Sequence, residues 1–274
     1  AFFHKIDTLF PTKLLYFSLN NSFIALPIVI RPIENTSYFD ITSVYGYAGP
    51  VSNFTSQEEK EALLVFFKER FLKFCNDQKI VSVFARLHPI VEQSDILNGL
   101  GEIVDLNKTV SIDLTKSIEE QKKEYRKSLK SELNQLRRKE FEVINASSEE
   151  EINRFIEIYY ETMDRVDASK MYYFSKEYFL DFLQNKSFKS ELFLAKKDKK
   201  IIAGAIFTYS GAIMQYHLAG TTQEFIRDTP MKLILDEARL KGTELKMKHL
   251  HLGGGVGGSD DDSLFKFKSG FSKN

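Results

Sequence analysis

The feature that most constrains the fold is the order of periodic segments in the second half of the chain. Apolar residues there either alternate as in strands or recur at helical spacing. Ser148 and Glu151 form a capping box before one helix, and Pro230 begins another. The pattern predicts strand 141–144, helices from 148 and 175, strands 191–196, 201–209 and 212–219, helix 229–241, strand 247–252 and a last helix from about 261.

This β-α-α-β-β-β-α-β-α order is similar to the Gcn5-related N-acyltransferase (GNAT) fold without its last strand. The turns at 198–199 and 210–211 are short, so the three middle strands are expected to form an antiparallel meander. The resemblance implies an α/β protein of the α+β type, built on a mixed and mostly antiparallel sheet.

The first half of the chain repeats the later part of the same order. Strand patterns cover 14–19, 23–30, 38–41, 80–87 and 102–106, and an amphipathic helix covers 56–76. We therefore predict two tandem GNAT-like domains, 1–107 and 108–274, which pack across a cleft. Because the chain has no initiator Met and its first domain starts at strand two of the unit, we expect the sequence to begin inside a longer gene product.

Composition excludes several classes of protein. The 38 Lys and Arg residues balance 38 Asp and Glu residues, which is atypical of a dedicated nucleic-acid-binding protein, so stable DNA binding is not expected. Cys75 is the only cysteine, which excludes a disulfide framework and predicts a reducing, cytoplasmic location. No apolar run approaches the roughly 18 to 20 residues that a membrane-spanning helix needs.

A basic helix is predicted between the two domains, from Ser117 to about Lys139. Lys122, Arg126 and Lys130 follow one another at i, i+4 and i+8, which would place them on one face. A solvated amphipathic face and a site for an anionic phosphate group both fit this pattern. The second alternative makes Arg126 a candidate substrate-binding residue, because arginine grips phosphate with two parallel hydrogen bonds.

The C-terminal residues resemble the Fem-type (FemABX-like) branch of the GNAT transferases. Leu252-Gly253-Gly254-Gly255, followed by Phe267-Lys268-Ser269-Gly270-Phe271, is similar to the family's LGG and FK-x-GF signature. The segments 111–114 with 125–127, and 40–50, resemble two further Fem-type motifs in the same order. Fem-type enzymes add amino acids to peptidoglycan precursors, usually from aminoacyl-tRNA.

The glycine run and Lys268 are the candidate groups for acyl transfer. Acyl transfer to an amine passes through a tetrahedral oxyanion, which a fixed cation or backbone N–H groups stabilise. The Fem resemblance implies that Lys268 faces the reaction centre and that Gly253, Gly254 and Gly255 bind substrate through their backbone. A surface lysine and a flexible connector are the alternatives for these two features.

Other candidate residues lie on a strand and in a loop. His217 has a suitable pKa range for taking a proton from the acceptor amine, with a structural histidine as the alternative. Strand alternation places it on the face opposite Tyr216, so that only one of the two faces the site. Tyr45 and Tyr47 can stack on sugars, although a structural turn explains their loop equally well. We predict no metal site, because His249 and His251 have no third ligand at useful spacing.

The donor is left open between aminoacyl-tRNA and acyl-CoA, with no permanently bound cofactor. GNAT proteins that use acetyl-CoA carry a glycine-rich loop whose N–H groups cradle pyrophosphate. Residues 223–230 occupy that place here without a glycine, and Pro230 lacks an N–H group. This departure favours the Fem branch over the CoA branch.

The combined expectation is a bacterial acyltransferase that modifies an amine of a cell-envelope precursor, either peptidoglycan or an amino-sugar polysaccharide. Charged tRNA is a possible partner, and contact with the inner membrane would be peripheral. The alternatives are an acyl-CoA-dependent sugar N-acyltransferase and a non-catalytic binding module that has kept the fold. The sequence leaves the acceptor and the oligomeric state open.

Overall fold

The computed structural model describes residues 10–256 and 261–273. It divides into two compact units, Ala1–Asp105 and Leu106–Asn274. Within the described residues, no helix is both long and apolar enough to cross a membrane.

The first unit is a sheet with one long helix packed on it. Its strands run in the order β1-β2-β3-β5, with β4 paired to β2, and only the β3–β5 pair is parallel. Leu63, Phe67 and Phe71 of the helix are buried in the core of this unit. The elements are β1 (Thr12–Leu19), β2 (Ser22–Pro32), β3 (Phe39–Thr42), β4 (Val51–Ser52), α1 (Gln57–Asp77), β5 (Ile80–Val83) and α2 (Ser94–Leu97).

The second unit contains a sheet in the order β6-β11-β10-β9-β8-β7, in which only β10 and β11 are parallel. The predicted succession of elements is confirmed, as is the class of mixed, mostly antiparallel α/β sheets. The elements are β6 (Val110–Asp113), α3 (Ile118–Glu124), α4 (Lys127–Arg138), β7 (Glu142–Asn145), α5 (Glu149–Arg165), α6 (Lys176–Leu183), β8 (Lys189–Lys197), β9 (Lys200–Ser210), β10 (Ile213–Thr221), α7 (Met231–Glu244), β11 (His249–Gly253) and α8 (Ser263–Ser269).

The prediction of one continuous helix over 117–139 is wrong, because Tyr125 and Arg126 adopt extended backbone between α3 and α4. The break turns Tyr125 into the core, where its side chain is 4% exposed. The N–H group of Arg126 leaves the helical pattern and donates to the carbonyl of Gly270 at 3.0 Å. The break also removes the common face that was predicted for Lys122, Arg126 and Lys130.

A buried polar network explains why the helix breaks at Tyr125. The Tyr125 hydroxyl donates to Asp236 at 2.7 Å and accepts from Arg239 at 2.6 Å. Arg239 also donates to Gln121 at 2.7 Å, and Arg137 donates to the second carboxylate oxygen of Asp236 at 2.7 Å. Because a buried ion pair stabilises a fold only when its polar atoms are hydrogen-bonded, this network holds α3, α4 and α7 in one arrangement.

The predicted strand at 102–106 is also wrong, since these residues form no regular structure. Ile103, Val104 and Leu106 are about half or more exposed. An alternating pattern specifies a strand only where one of its faces is buried, and neither face is buried here.

Candidate active site

The site is created by two neighbouring parallel strands that separate. β10 and β11 are paired only from Ile213 to Gln215, which lie opposite His249 to His251. Gln215 and His251 end the pairing with a 2.6 Å hydrogen bond between the amide oxygen and Nδ1. Beyond this pair, β10 continues to Thr221, and among the described residues β9 is its only partner strand there. The two strands therefore leave a gap that begins at Tyr216.

The side chain of Lys268 reaches this gap from α8. Its Nζ donates to the carbonyl of Gly254 at 2.7 Å, just past the end of β11. The same atom lies 5.6 Å from the centre of the ring of Tyr216, which is the first residue of β10 beyond its pairing with β11. Since an ammonium group has three N–H donors, one bond to Gly254 leaves donors for a further acceptor.

Burial sets the protonation of this ammonium group. Lys268 is 6% exposed, and burial lowers its pKa to about 8, although the negative charge of Asp262 acts in the opposite direction. Asp262 is held in place because its carboxylate caps α8, accepting from the N–H of Phe265 at 2.8 Å and from that of Val256 at 3.2 Å. The site therefore contains a cation that is still mostly protonated at pH 7.

The glycine that ends β11 and the two that follow it are required by the close packing of the chain. Gly253 has φ +74°, a conformation that favours glycine. A Cβ on Gly254 would lie 2.9 Å from the carbonyl oxygen of Lys108, and one on Gly255 would lie 2.2 Å from Asp262. The turn is therefore closely packed up to Val256, and this part of it is not a flexible connector. Gly257 and Gly258 lie outside the described residues.

Tyr216 and His217 project to opposite faces of the sheet. The Tyr216 ring packs against Phe207 and lies beside Lys268. The His217 ring instead stacks on Phe182 at 4.8 Å and contacts the Tyr178 hydroxyl at 3.1 Å. Burial lowers the pKa of His217 to about 4, so the imidazole is neutral at pH 7 and is a weak base. These contacts describe a histidine packed among aromatic residues, away from Lys268.

Arg126 lies at the other end of α8 from the glycine turn. In addition to its backbone bond to Gly270, its guanidinium contacts Glu132 at 3.2 Å, and Glu132 also pairs with the buried Lys232 at 2.9 Å. The Arg126 side chain remains 41% exposed. Glu132 was missed at the sequence level, because the break between α3 and α4 determines its proximity to Arg126.

The structure therefore brings together most of the predicted residues of the second unit. Lys268, Tyr216 and the glycine turn meet at the gap, and Arg126 contacts the helix that carries Lys268. His217 lies elsewhere, and Tyr45 and Tyr47 belong to a loop of the first unit.

A profile of the acetyltransferase (GNAT) domain family matches residues 123–267, which is more than half of the 274-residue chain. The chain belongs to the GNAT acetyltransferase family. It is accordingly an acyltransferase, and the gap between β10 and β11 lies inside the matched region.

Comparison with solved structures identifies the branch of the GNAT family that shares this fold. FemX superposes with a TM-score of 0.73 at 13% identity, covering 99% of this chain and 87% of FemX. L-PGS from Bacillus licheniformis gives 0.61 at 16% identity, covering 90% and 71%. The C-terminal domain of a protein assigned as a lysylphosphatidylglycerol synthetase, from Agrobacterium fabrum, gives 0.65 at 13%, covering 99% and 84%. The fold is that of the Fem-like branch, with two tandem GNAT-like domains.

A search of curated proteins found no match.

In the loop of this GNAT protein at the expected pyrophosphate position, residues 222–230, six of the eight backbone N–H groups are engaged. Four donate to carbonyls three residues earlier in the loop, at 3.1 to 3.4 Å, that of Thr222 donates to Ile202 at 2.9 Å, and that of Gln223 donates to Glu161 at 2.6 Å. The loop also presents Asp228, which pairs with Lys139 at 2.7 Å. The residues whose N–H groups are engaged in this way are Thr222, Gln223, Phe225, Ile226, Asp228 and Thr229.

The lowered pKa of Lys268 predicts a pH-dependent stability. The unfolded lysine titrates near pH ~10.4 and the folded one near pH 8, so between these values the unfolded state binds more protons. The free energy of unfolding of the wild type should therefore rise with pH, by about 2 kcal/mol from pH 7 to 10 relative to Lys268→Met. Urea unfolding followed by circular dichroism at each pH measures this difference. A constant difference between the two proteins would contradict the assignment.

Proposed function

We propose that this GNAT protein transfers an acyl group, specifically an aminoacyl group, to an amine of a cell-envelope precursor. The observation that carries the proposal is the buried ammonium of Lys268 at the gap between β10 and β11, held by the carbonyl of Gly254. A fixed cation in a water-poor position is the type of group that stabilises a developing oxyanion.

The proposed reaction needs little more than this cation and a positioned acceptor. The neutral amine attacks the carbonyl carbon of the aminoacyl ester and forms a C–N bond, and the carbonyl oxygen becomes an oxyanion that accepts from Lys268. Collapse of the intermediate breaks the bond to the ester oxygen, which leaves as a hydroxyl after taking a proton from solvent, and the amine nitrogen releases one proton to solvent. With a pKa of about 4, His217 is too weak a base for that step, so we assign it no part in it.

Support for an envelope acceptor comes from the proteins that share this fold. The sequence resembles Fem-type enzymes, the fold is shared with FemX, and the Agrobacterium relative is named for a lysine-modified phospholipid. We propose that the acceptor is a peptidoglycan or amino-sugar precursor, and that the enzyme is cytoplasmic and bacterial, with peripheral contact to the inner membrane where the precursor is lipid-linked.

The proposed donor is aminoacyl-tRNA, because most N–H groups of the loop at 222–230 already donate to protein carbonyls or to Glu161. Isothermal titration calorimetry with tRNAs charged with single amino acids is expected to give saturable binding, and acetyl-CoA is expected to give none. Uncharged tRNA is the matched control for the aminoacyl group.

Two results would redirect the assignment of the donor. Saturable binding of acetyl-CoA without tRNA binding would favour an acyl-CoA-dependent sugar N-acyltransferase. Binding of neither donor, with the protein folded, would favour a non-catalytic module that has kept the fold.

Replacement of Lys268 tests its proposed role directly. Lys268→Met should lower kcat about 10²- to 10³-fold, which is the usual cost of removing one oxyanion donor. Its melting temperature at pH 7 should not fall, because the substitution also removes a buried charge. Initial rates of aminoacyl transfer and thermal unfolding measure the two effects.

Lys266→Met is the matched control, since Lys266 lies on the same helix but is exposed and pairs with Asp261. It should keep near wild-type activity. In the wild type the rate should fall as pH rises through about 8, where Lys268 loses its proton. An equal loss of activity in both variants would remove Lys268 from the reaction centre.

Arg126 is proposed to bind an anionic phosphate of the acceptor. Its exposed guanidinium is oriented by Glu132, and its backbone is tied to the helix that carries Lys268. Arg126→Gln should raise KM for a nucleotide-linked precursor about 10-fold with little change in kcat, because a charge-assisted hydrogen bond contributes ~1.5 to 3 kcal/mol. Arg138→Gln, on the exposed surface of α4, should leave KM unchanged. A fall in kcat without a rise in KM would contradict a binding role.

A further inference from the structure

Four exposed lysines form a basic cluster on either side of the break between α3 and α4. Lys122 and Lys123 belong to the last turn of α3, and Lys127 and Lys130 belong to the first turn of α4. An extended chain spans at most ~3.6 Å per residue, so the Cα atoms of Lys123 and Lys127 lie within about 14 Å of each other. The break therefore concentrates positive charge at one place on the surface of the second unit.

The two acidic residues that lie between and just after these lysines pair with other cations. Glu124 pairs with Lys116, and Glu132 pairs with the buried Lys232 at 2.9 Å. Among the residues that the structure describes, no carboxylate oxygen lies within 4.0 Å of an ammonium group of the basic cluster. The charge of the cluster is thus available to an anionic partner.

Uncharged polar side chains continue this surface along α4. Ser131 and Asn134 lie about one and two turns after Lys127 on the same face of the helix, and both are exposed. The three leucines on the opposite face are buried in the core, at 1 to 3% exposed. The exposed face of α4 therefore presents ammonium, hydroxyl and amide groups, and its apolar side chains are turned away from solvent.

This chemistry fits the sugar-phosphate backbone of a nucleic acid. Lysine, serine and asparagine side chains are common partners of phosphate and sugar oxygens, and lysines supply the charge for such binding. A helix that binds in a membrane interface instead turns an apolar face toward the lipid, and the apolar face of α4 is occupied by the core. The charge and the polar groups together favour a nucleic acid over a membrane.

The basic cluster is also tied to the helix that carries Lys268. The N–H of Arg126, in the break, donates to the carbonyl of Gly270 at 3.0 Å. Gly270 lies two residues after Lys268 and ends α8. The end of α4 that bears Lys127 and Lys130 is therefore held against α8.

We infer that the basic cluster and the exposed face of α4 bind the sugar-phosphate backbone of RNA close to its aminoacylated 3′ end. That this RNA is the donor rests on the proposed function. Because the side chains of this surface suit backbone oxygens and lie outside any groove reader, the surface holds RNA without selecting its sequence. The chain has no net charge, so the binding should be weak and sensitive to salt, which suits a donor that is released after each transfer.

A variant that replaces three lysines together tests this surface: Lys122→Gln, Lys127→Gln and Lys130→Gln. Their side chains are exposed, so the folded structure should be retained. Lys123 is kept because its charge also lowers the pKa of Glu120, whose carboxylate accepts hydrogen bonds at the start of α3.

The matched control removes the same charge from another place on the second unit. It replaces three exposed lysines that have no ion pair among the described residues, one before β8 and two at the turn between β8 and β9: Lys186→Gln, Lys199→Gln and Lys200→Gln. A general effect of net charge would appear equally in both variants.

Fluorescence anisotropy of unfractionated, uncharged tRNA measures binding to the full-length protein between about 50 and 200 mM salt. In the cluster variant, Kd at low salt should rise at least about 10-fold, and the slope of log Kd against log salt concentration should fall by about 2, because each cation that meets a phosphate contributes ~0.7 to 0.9. The control variant should keep both wild-type values. Arginine at the same three positions keeps the charge and should bind within about threefold of the wild type.

Three results would overturn the surface. They are the absence of tRNA binding by the wild type, an unchanged Kd in the cluster variant, and an equal change in the control variant. Loss of binding in the arginine variant would also contradict it, since charge would then not be the cause. Binding to vesicles of phosphatidylglycerol and phosphatidylcholine that is lost in the cluster variant, without tRNA binding, would make the partner a membrane and so overturn the stated one.

The outcome for this surface is separable from the outcome for the proposed function. If the cluster variant loses tRNA binding but aminoacyl transfer is never observed with the wild type, the proposed function fails and the RNA surface stands. If transfer proceeds and the cluster variant keeps the wild-type KM for charged tRNA, the proposed function stands and the RNA surface fails.

Discussion

The early end of pairing between β10 and β11 is the constraint on which the active site depends. Three residue pairs join these parallel strands, and the pairing of β10 with β9 continues past them, with a β-bulge after Tyr216. The gap also explains the glycines, because the chain leaving β11 must turn sharply at Gly253 and pass close to Lys108 and Asp262.

The buried ion pair of Asp236 and Arg239 is a second constraint on the structure. Burial alone would raise the pKa of Asp236, but hydrogen bonds from Tyr125 and Arg137 and the charge of Arg239 keep it lowered. Satisfying this carboxylate requires Tyr125 to point inward. The cost is a broken helix, and the break places Arg126 against the end of α8. A stabilising feature of the core thus positions a side chain at the surface.

Local signals predicted the elements of the second unit well, because each was encoded by neighbouring residues. The serine caps at Ser148 and Ser175 both accept from the third helical N–H, as expected from the sequence. The predicted capping box is incomplete, because Glu151 accepts from the N–H of Ser147 at 2.8 Å and not from that of Ser148. The helix break could not be predicted in this way, since it depends on a bond between Tyr125 and Asp236, which are 111 residues apart. Likewise, alternation predicted that Tyr216 and His217 would diverge, but the packing of Phe182 against the imidazole depends on the tertiary fold.

The capping of the last helix also has an electrostatic effect on Lys268. Asp262 holds the first turn of α8 and is also the negative charge that moderates the acidity of the Lys268 ammonium. The position of the Asp262 carboxylate therefore affects both the first turn of α8 and the pKa of Lys268. Removal of this carboxylate while Lys268 stays buried would leave the lysine a stronger acid, so the cap of the helix also helps to keep the buried ammonium charged.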